Sequence, residues 1–330
     1  KDMGVNKMIE FTFDLQRFDE VTISQLSDLS TYSKDGYYEL TSRTYNVTAA
    51  IELDKPIVIA DGSIVTITLS KSPAGSITES TGFTDSANIN SLIQIQGSGN
   101  LSIIAKKSFY STSPAIGSKT PSSSKVNSAI SIVAAQNSTS AATLIIGDTT
   151  TTNVAYIVGK NYGIKADSAA NITINSGTID GRNNTGIFQT DGTLEISNTK
   201  TASTITGKLV GIQFDSTDTS ENGNLNISNA SVCATDADGI GLLIDDDGVN
   251  ANISGTTSTK TAKIGMSGST VKNNTALKIG DLQADSATFG TASSEKSKVT
   301  ISGYANVKGK TTAIDDSGNA NVTIDGGTFK

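Results

Sequence analysis

The sequence has no histidine, no tryptophan, four prolines and a single cysteine among its 330 residues. One cysteine, Cys233, cannot form an intramolecular disulfide. We expect it to be a small, semi-buried residue, and a free thiol used for dimerisation is the alternative. Few prolines, 31 glycines and the lack of tryptophan suit a repetitive β-structure. The low hydrophobic content of 36% fits a thin solenoid, in which only every second side chain faces inward.

Basic residues are also scarce. The chain has only three arginines and a formal net charge of −7, which opposes binding to nucleic acid or to anionic lipid surfaces. It contains no run of eighteen apolar residues, so no membrane insertion is expected. No signal-peptide pattern is present either. The sequence is therefore expected to be a mature chain, or one exported without a cleavable leader.

The sequence does contain a repeat that is made of three short apolar segments. Its clearest copy is YGIKADSAANITINSGTIDG, which starts at Tyr162. A short Gly-Ile segment at Ile164 is followed by an apolar-x-apolar segment at Ile172 and Ile174, and then by a third apolar position at Ile179. This spacing predicts three short strands per repeat.

This repeat recurs from residue 90 to the last residue of the sequence. The first-strand positions are Ile93, Ile130, Ile164, Ile187, Ile212, Ile240, Leu277 and Ile314. The second-strand positions begin at Leu101, Leu144, Ile172, Leu194, Leu225, Ala251, Val299 and Val322. The third-strand positions are Ile116, Ile157, Ile179, Ile205, Val232, Ile264, Val307 and Phe329.

A single repeat is too short to bury an apolar face, so each must stack on the next, at roughly 4.8 Å per coil. The gaps between repeats vary by more than ten residues, which favours a corner-tolerant architecture. We predict an all-β, right-handed parallel β-helix, a three-sided solenoid of about eight to ten irregular coils. The predicted boundaries are 1–18 for an N-terminal strand segment, 19–36 for a linker or cap, and 37–330 for the β-helix.

The predicted corners carry a pattern of their own. Immediately before the second strand, five of eight positions are asparagine and two are threonine, which predicts a ladder of stacked amides along the axis: Asn100, Thr143, Asn171, Thr193, Asn224, Asn250, Lys298 and Asn321. The following corner is small or glycine-bearing, as at Ser176-Gly177 and Gly326-Gly327. A sharp turn there is expected to need positive φ.

Two segments resemble known proteins. The stretch TAAIELDKPIVIADGSIVTITL, with Asp61-Gly62 after Pro56 to Ile59, resembles the opening rungs of right-handed β-helix proteins of the broad pectate-lyase-like group. That group includes lyases, hydrolases, tailspikes, autotransporter passengers and adhesins, so the resemblance implies a fold more than a function. The N-terminal FTFDLQRF resembles repeat-rich surface proteins of anaerobic Firmicutes.

The resemblance allows enzymatic candidates to be considered. Glycosidases of this fold use clustered aspartates with a Gly-His-Gly motif, which a chain without histidine cannot supply. Lyases of this fold use Ca²⁺-binding acids with a basic residue, and Asp245, Asp246 and Asp247 offer the acids without a nearby arginine. We therefore expect no enzyme, no catalytic residue and no cofactor, with a structural calcium ion at Asp245–Asp247 as the one metal hypothesis.

Carboxylates also recur where the first strand ends. In-register stacking would place them on one edge of the rod at one-coil spacing, either solvated or bridged by Ca²⁺: Asp167, Asp191, Asp215, Asp245 to Asp247, Asp315 and Asp316. A glycan site would need outward aromatic rings, for which Tyr110, Tyr162 and Tyr304 are the candidates. The Ser/Thr/Lys-rich stretch from Lys106 to Ser128 is expected to leave the rod as a surface loop.

The ends of the sequence carry the functional prediction. Ile9, Phe11, Phe13 and Leu15 alternate with polar residues and are followed by Phe18, which predicts a strand with an apolar face. The repeat continues to the last residue, so Val322, Ile324 and Phe329 are expected to form an open coil. Its partner is predicted to be a second copy of the chain, joined by strand addition.

This pattern predicts a structural extracellular or cell-surface protein that forms head-to-tail filaments through those two segments. Two alternatives for residues 1–18 are a cap on the chain's own solenoid and a secretion address. The alternative function is a β-helix that binds or cleaves a polysaccharide, or an adhesin passenger that binds a cell-surface or host glycan. Neither nucleic acid nor a membrane is an expected partner.

Overall fold

The computed structural model describes residues 20–85, 89–109, 115–118, 125–134, 140–197, 200–215, 223–244, 248–280, 296–316 and 320–330. The predicted strand at Ile9 to Phe18 and the triple aspartate Asp245–Asp247 lie outside these ranges. The described chain is nearly all β-strand, with one short 3-10 helix. Within it, no helix is long and apolar enough to cross a bilayer.

Thirty-two short strands follow one another along the described chain. In chain order they are β1 (Glu20–Ile23), β2 (Ser33–Lys34), β3 (Tyr37–Leu40), β4 (Arg43–Val47), β5 (Ala50–Leu53), β6 (Ile57–Ile59), β7 (Ile64–Leu69), β8 (Ser76–Glu79), β9 (Ser91–Gln96), β10 (Asn100–Ala105), β11 (Ile116–Gly117), β12 (Ser128–Val133), β13 (Ala142–Ile146), β14 (Ala155–Gly159), β15 (Tyr162–Ala166), β16 (Ala170–Ile174), β17 (Gly177–Gly181), β18 (Thr185–Thr190), β19 (Gly192–Ile196), β20 (Ser203–Gly207), β21 (Val210–Asp215), β22 (Gly223–Ser228), β23 (Ala230–Ala234), β24 (Ile240–Ile244), β25 (Val249–Ser254), β26 (Ala262–Ile264), β27 (Met266–Ser267), β28 (Thr270–Val271), β29 (Thr275–Ile279), β30 (Lys298–Val307), β31 (Thr312–Asp316) and β32 (Asn321–Phe329). The 3-10 helix, η1, spans Leu26–Tyr32 between β1 and β2.

The pairing of these strands builds a three-sided parallel β-helix. The first face is formed by ten parallel strands: β3, β6, β9, β12, β15, β18, β21, β24, β29 and β31. The second face runs β1, β4, β7, β10, β13, β16, β19, β22, β25, β30 and β32. The third runs β5, β8, β11, β14, β17, β20, β23 and β26, and then the carboxyl-terminal halves of β30 and β32. The described chain thus makes ten coils, at the upper end of the predicted eight to ten.

The predicted strand positions fall into register with one correction. All eight second-strand positions align in one column, and the third-strand column includes the weakly marked Ile116. In the first column, however, Ile212 is aligned with Leu242, whereas Ile240 is aligned with Val210. The choice of Ile240 was therefore wrong by two residues. The run Ile240–Ile244 has several apolar residues, so periodicity alone does not fix its register.

The hydrophobic core is the stack of inward columns. Ile93, Ile130, Ile164, Ile187 and Ile212 are all fully buried. Each is covered by the same position of the coils above and below, so the core is a continuous column of aliphatic side chains. Burial of a leucine or isoleucine side chain contributes about 1.5–3 kcal/mol, which makes these columns the main source of stability.

The glycine of the first-strand Gly-Ile pair has a packing role. Gly163, Gly186, Gly211 and Gly241 stand one residue before the inward first-strand residue, where the third face approaches closely. A Cβ atom on Gly186 would lie 2.6 Å from the carbonyl oxygens of Gly211 and Thr206. Because backbone atoms cannot yield as a flexible side chain can, these four coils accept only glycine, whereas the same position is Ala129 and Ala276 in coils nearer the ends of the rod.

Asparagines do stack along the rod, but at a different corner from the one predicted. The predicted positions are aligned on the second face, yet Asn100 donates from Nδ2 to the carbonyl oxygen of Ser98 at 3.1 Å, within its own corner. The amide stack precedes the first face instead. Asn161 Nδ2 donates to Asn127 Oδ1 at 2.5 Å, and the Asn127 backbone N–H donates to Asn90 Oδ1 at 3.0 Å. The prediction was therefore wrong about the corner at which asparagines bond between coils, and it was correct that asparagine side chains form such bonds.

The amino-terminal end of the solenoid is closed by the chain itself. Helix η1 carries Leu29, which is only 1% exposed and belongs to the main core. Asp28 forms a capping box with Gln25, and its carboxylate accepts hydrogen bonds from the backbone N–H groups of Ser24 and Gln25 at 2.7 and 3.1 Å. These bonds hold the pKa of Asp28 below its usual value. The segment predicted as a linker or cap thus contains β1, η1 and β2.

The glycine column gives a stability prediction. We expect Gly186→Ala to destabilise the protein by about 1–3 kcal/mol, because its Cβ has to displace backbone atoms of two neighbouring strands. Thermal unfolding followed by circular dichroism measures the effect. The matched control is Gly82→Ala, since a Cβ there meets only a side-chain oxygen at 3.9 Å. Equal melting temperatures for the two variants would contradict the packing role.

Candidate functional site at the C-terminal coil

The last coil exposes side chains at positions that the coils from β7 to β30 bury. Ile301 on β30 is fully buried, whereas Ile324, its register partner on β32, is 55% exposed. Val322 and Phe329 are half-buried, although they continue the columns of the fully buried Val299 and Val307. The sequence-predicted residues of the open coil therefore lie together at one end of the rod. They form a surface of core-type side chains, called here the terminal coil surface (Ile314, Val322, Ile324 and Phe329).

The backbone of the last coil is also unpaired on one side. Among the described residues, β32 pairs with β30 and β31 pairs with β29, each along a single edge. The other edge offers backbone N–H and C=O groups in the parallel pattern of the preceding coils. An edge of this kind is a template for a further strand.

A corner next to this surface has an unusual shape. Strand β30 carries a bulge between Gly303 and Asn306, which leaves the Tyr304 ring 53% exposed. The corresponding corner of β32 is Gly326-Gly327, with φ of 138° and 101°. Because glycines have no side chains, this corner of the last coil exposes backbone where β30 exposes the Tyr304 ring.

Among the described residues, the predicted carboxylates do not follow one another from coil to coil. Thr190, not an acid, is the register partner of Asp215, and Asp191 is the single residue of a tight corner with φ of 55°. Asp315 is aligned with Lys278, and Asp316 is aligned with the buried Ile279. The corners differ in length from coil to coil. Residues at the same position of the sequence repeat therefore do not always lie at the same position of the stacked coils.

The acids of this region are instead held individually. Asp167 pairs with Lys165 at 2.7 Å, and Asp215 accepts hydrogen bonds from Gln213 at 3.2 and 3.3 Å. No group of three or more potential metal ligands occurs within the ranges that the structure describes. The structural calcium ion at Asp245–Asp247 stays a prediction, because those residues lie outside those ranges.

A buried polar cluster lies on the third face. Asp180, only 8% exposed, accepts from Tyr156 Oη at 3.0 Å and from Thr206 Oγ1 at 3.1 Å, and it pairs with Arg182 Nε at 2.7 Å. Burial, together with the Asp180 charge, raises the pKa of Tyr156 well above its usual value. The cluster joins side chains from β14, β17 and β20, so it ties three successive coils together. Sequence reasoning missed it, because no local motif marks residues that meet only through stacking.

Two rings lie on the outer side of the first face. Tyr162 and Phe188 meet edge to face, with centroids 6.0 Å apart, and Lys165 Nζ lies 5.6 and 5.8 Å from the two centroids. Tyr162 Oη also accepts a hydrogen bond from Asn184 Nδ2 at 3.2 Å. Of the three predicted outward rings, Tyr304 is exposed, Tyr162 is half-buried, and Tyr110 lies outside the described residues.

The burial of Cys233 predicts that its thiol reacts slowly in the folded protein. The residue is 1% exposed, and burial raises the pKa of its thiol to about 11. Since the thiolate is the reactive form, we expect a maleimide to leave the native protein unlabelled at pH 7 and to label it fully in denaturant, as read by mass spectrometry. A Cys233→Ser, Thr323→Cys variant, with an exposed thiol, is the positive control. Rapid labelling of the native wild-type protein would contradict the buried position.

No family model, no curated protein and no solved structure matches this chain. The fold therefore rests on the strand pairing itself. The resemblance of the opening coils and of FTFDLQRF to known groups stays a prediction.

Proposed function

We propose that this chain is a structural protein, a rod that assembles head-to-tail with further copies of itself into filaments. The observation that carries the proposal is the terminal coil surface. Ile324 continues a column of fully buried residues and is 55% exposed, on a coil with an open strand edge. A further strand would remove these apolar groups from water and satisfy the edge.

The difference between the two ends of the rod supports this geometry. The amino-terminal coil is covered by η1 and Leu29, whereas the last described coil is uncovered. An interface between unlike ends is heterologous. Such a contact does not close on itself unless a rotation returns it to the start, so its product is an open filament.

We further propose that the rod functions outside the cell or on a cell surface. Support comes from the two resemblances: the opening coils resemble right-handed β-helix proteins of the pectate-lyase-like group, and FTFDLQRF resembles surface proteins of anaerobic Firmicutes. In this proposal the chain acts by being long and self-associating, and no catalytic residue is assigned.

The assembly is tested at the terminal coil surface. We expect Ile324→Asp to abolish filaments, because it places a charge in the apolar part of the interface. Light scattering and negative-stain microscopy of the purified chain measure the length distribution. The matched control is Thr323→Asp, which adds the same charge one residue away on the exposed outer side of β32 and should leave filaments intact.

Both substitutions fall at exposed positions, so neither is expected to unfold the rod. Circular dichroism provides that check. If the wild-type chain stays as isolated short rods over a wide concentration range, the filament proposal fails. Filaments of Ile324→Asp equal in length to those of the wild type would place the contact elsewhere.

A second candidate function is polysaccharide binding, favoured by the ring cluster on the first face. Tyr162 and Phe188 provide partly exposed aromatic surface, and Lys165 beside them provides a cation. Flat rings of this kind stack on the apolar faces of sugars, and the ammonium group suits an acidic sugar.

This candidate is separable from the first. If it holds, Tyr162→Ala and Phe188→Ala together should weaken the binding of an acidic polysaccharide at least about tenfold in a pull-down or calorimetric titration. Tyr304→Ala, which removes an exposed ring far from that cluster, is the control. Equal binding by the wild type and the double variant would remove the first face as a glycan site.

A further inference from the structure

We infer that the strand added to the terminal coil surface is residues 9–15 of a second molecule, and that it cannot come from the same molecule. This inference rests on the proposed head-to-tail assembly and identifies the segment that makes it. The argument depends on how far residue 20 lies from β32 and on how far a polypeptide can reach.

The first step is the length of the rod. Strands β1 and β32 both lie on the second face, at opposite ends of a stack of eleven strands. Ten spacings of about 4.8 Å separate them, which gives about 48 Å.

The second step is the reach of the chain before β1. Leu15 precedes Glu20 by five residues, and Ile9 precedes it by eleven. A fully extended chain covers at most about 3.5 Å per residue, so the two residues lie within about 18 and 38 Å of the start of β1. Neither reaches the terminal coil of its own molecule. Any contact between residues 9–15 and β32 must therefore join two molecules.

The third step is the fit between the two segments. The sequence of residues 9–15 alternates apolar and polar residues, so a strand of this segment would carry Ile9, Phe11, Phe13 and Leu15 on one face. The second-face part of β32 alternates in the same way, with Val322 and Ile324 directed as in the buried columns. A strand of this pattern on the open edge would place two of its apolar residues over that pair.

The fourth step concerns size. From β7 to β30 the buried side chains of the second face are isoleucine, leucine, valine or alanine, whereas β4 buries Tyr45 and residues 9–15 offer two phenylalanines. The Gly326-Gly327 corner follows Ile324 by two residues and has no side chains, and Tyr304 at the matching corner of β30 has an exposed ring. At the amino-terminal end of the rod, Leu29 already covers part of the core.

The first experiment uses a peptide, so that it does not depend on filament formation. A fluorescein-labelled peptide of residues 7–18 is titrated into protein that lacks residues 1–18, and binding is read by fluorescence anisotropy. We expect saturable binding with one peptide per chain, weakened at least about tenfold by Ile324→Asp and unchanged by Thr323→Asp. A peptide with Phe11→Ser and Phe13→Ser should not bind.

The second experiment tests whether the contact joins two molecules. In a Cys233→Ser background, one protein carries Ile324→Cys and a second carries Phe11→Cys or Phe13→Cys. The two are mixed, treated with a short bis-maleimide and separated by denaturing electrophoresis. We expect a product of twice the chain mass that contains one molecule of each kind. The better of the two phenylalanine positions gives the strand orientation. Glu10→Cys, on the opposite face of the segment, should yield much less.

The results separate this inference from the proposed function. If protein lacking residues 1–18 still forms filaments while the peptide fails to bind, the assembly stands and the assignment of residues 9–15 is wrong. If the peptide binds but the full chain never assembles, the assignment holds and the filament proposal fails. Peptide binding that survives Ile324→Asp unchanged would overturn the terminal coil surface as the acceptor.

Discussion

The structure depends on one constraint: each side chain of the core is covered by the same position of the next coil. A coil of some thirty residues has too little apolar surface to hold itself together, and its strands pair only with strands of other coils. Stability therefore comes from repetition in register. A column such as Ile164, Ile187 and Ile212 is a contact between successive turns that no isolated turn possesses.

The same constraint governs the corners. Where the backbone of the third face crosses close behind the first face, the column of Gly163, Gly186 and Gly211 leaves no room for a Cβ atom. Backbone polar groups at the corners, which pair with no neighbouring strand, form hydrogen bonds with buried side chains instead. The fully buried Gln189 donates to the carbonyl oxygens of Ala170 and Asp191, both at 2.9 Å, beside the tightest corner. Asn273, also fully buried, accepts from Ala234 N at 2.9 Å and donates to the carbonyl oxygens of Ala234 and Asp236.

The columns could be predicted from the sequence because an inward position must be apolar in every coil. Apolar residues therefore recur in the sequence once per coil at each of these positions. Register was predicted correctly on strands with the Gly-Ile pair, such as β15 and β18, and also on strands without it, such as β12 and β29. At Ile240–Ile244 the alignment of Gly211 with Gly241 decides what hydrophobicity alone could not. The asparagine stack was placed at the wrong corner because asparagine is frequent at two corners, and only the pairing shows which amides meet. The positions of the Asp180 cluster and of the carboxylates depend on the lengths of the corners, and the apolar repeat in the sequence does not predict those lengths.

The coverage of the amino-terminal coil by Leu29 also has a consequence for how the chain is made. A ribosome releases that coil first, and its core can be completed by residues 20–79 before later coils exist. Every later turn then meets a finished surface only a few tens of residues back in the chain, so the loop that must close is short. The molecule can acquire its structure progressively during synthesis, one turn after another, without waiting for its last residue.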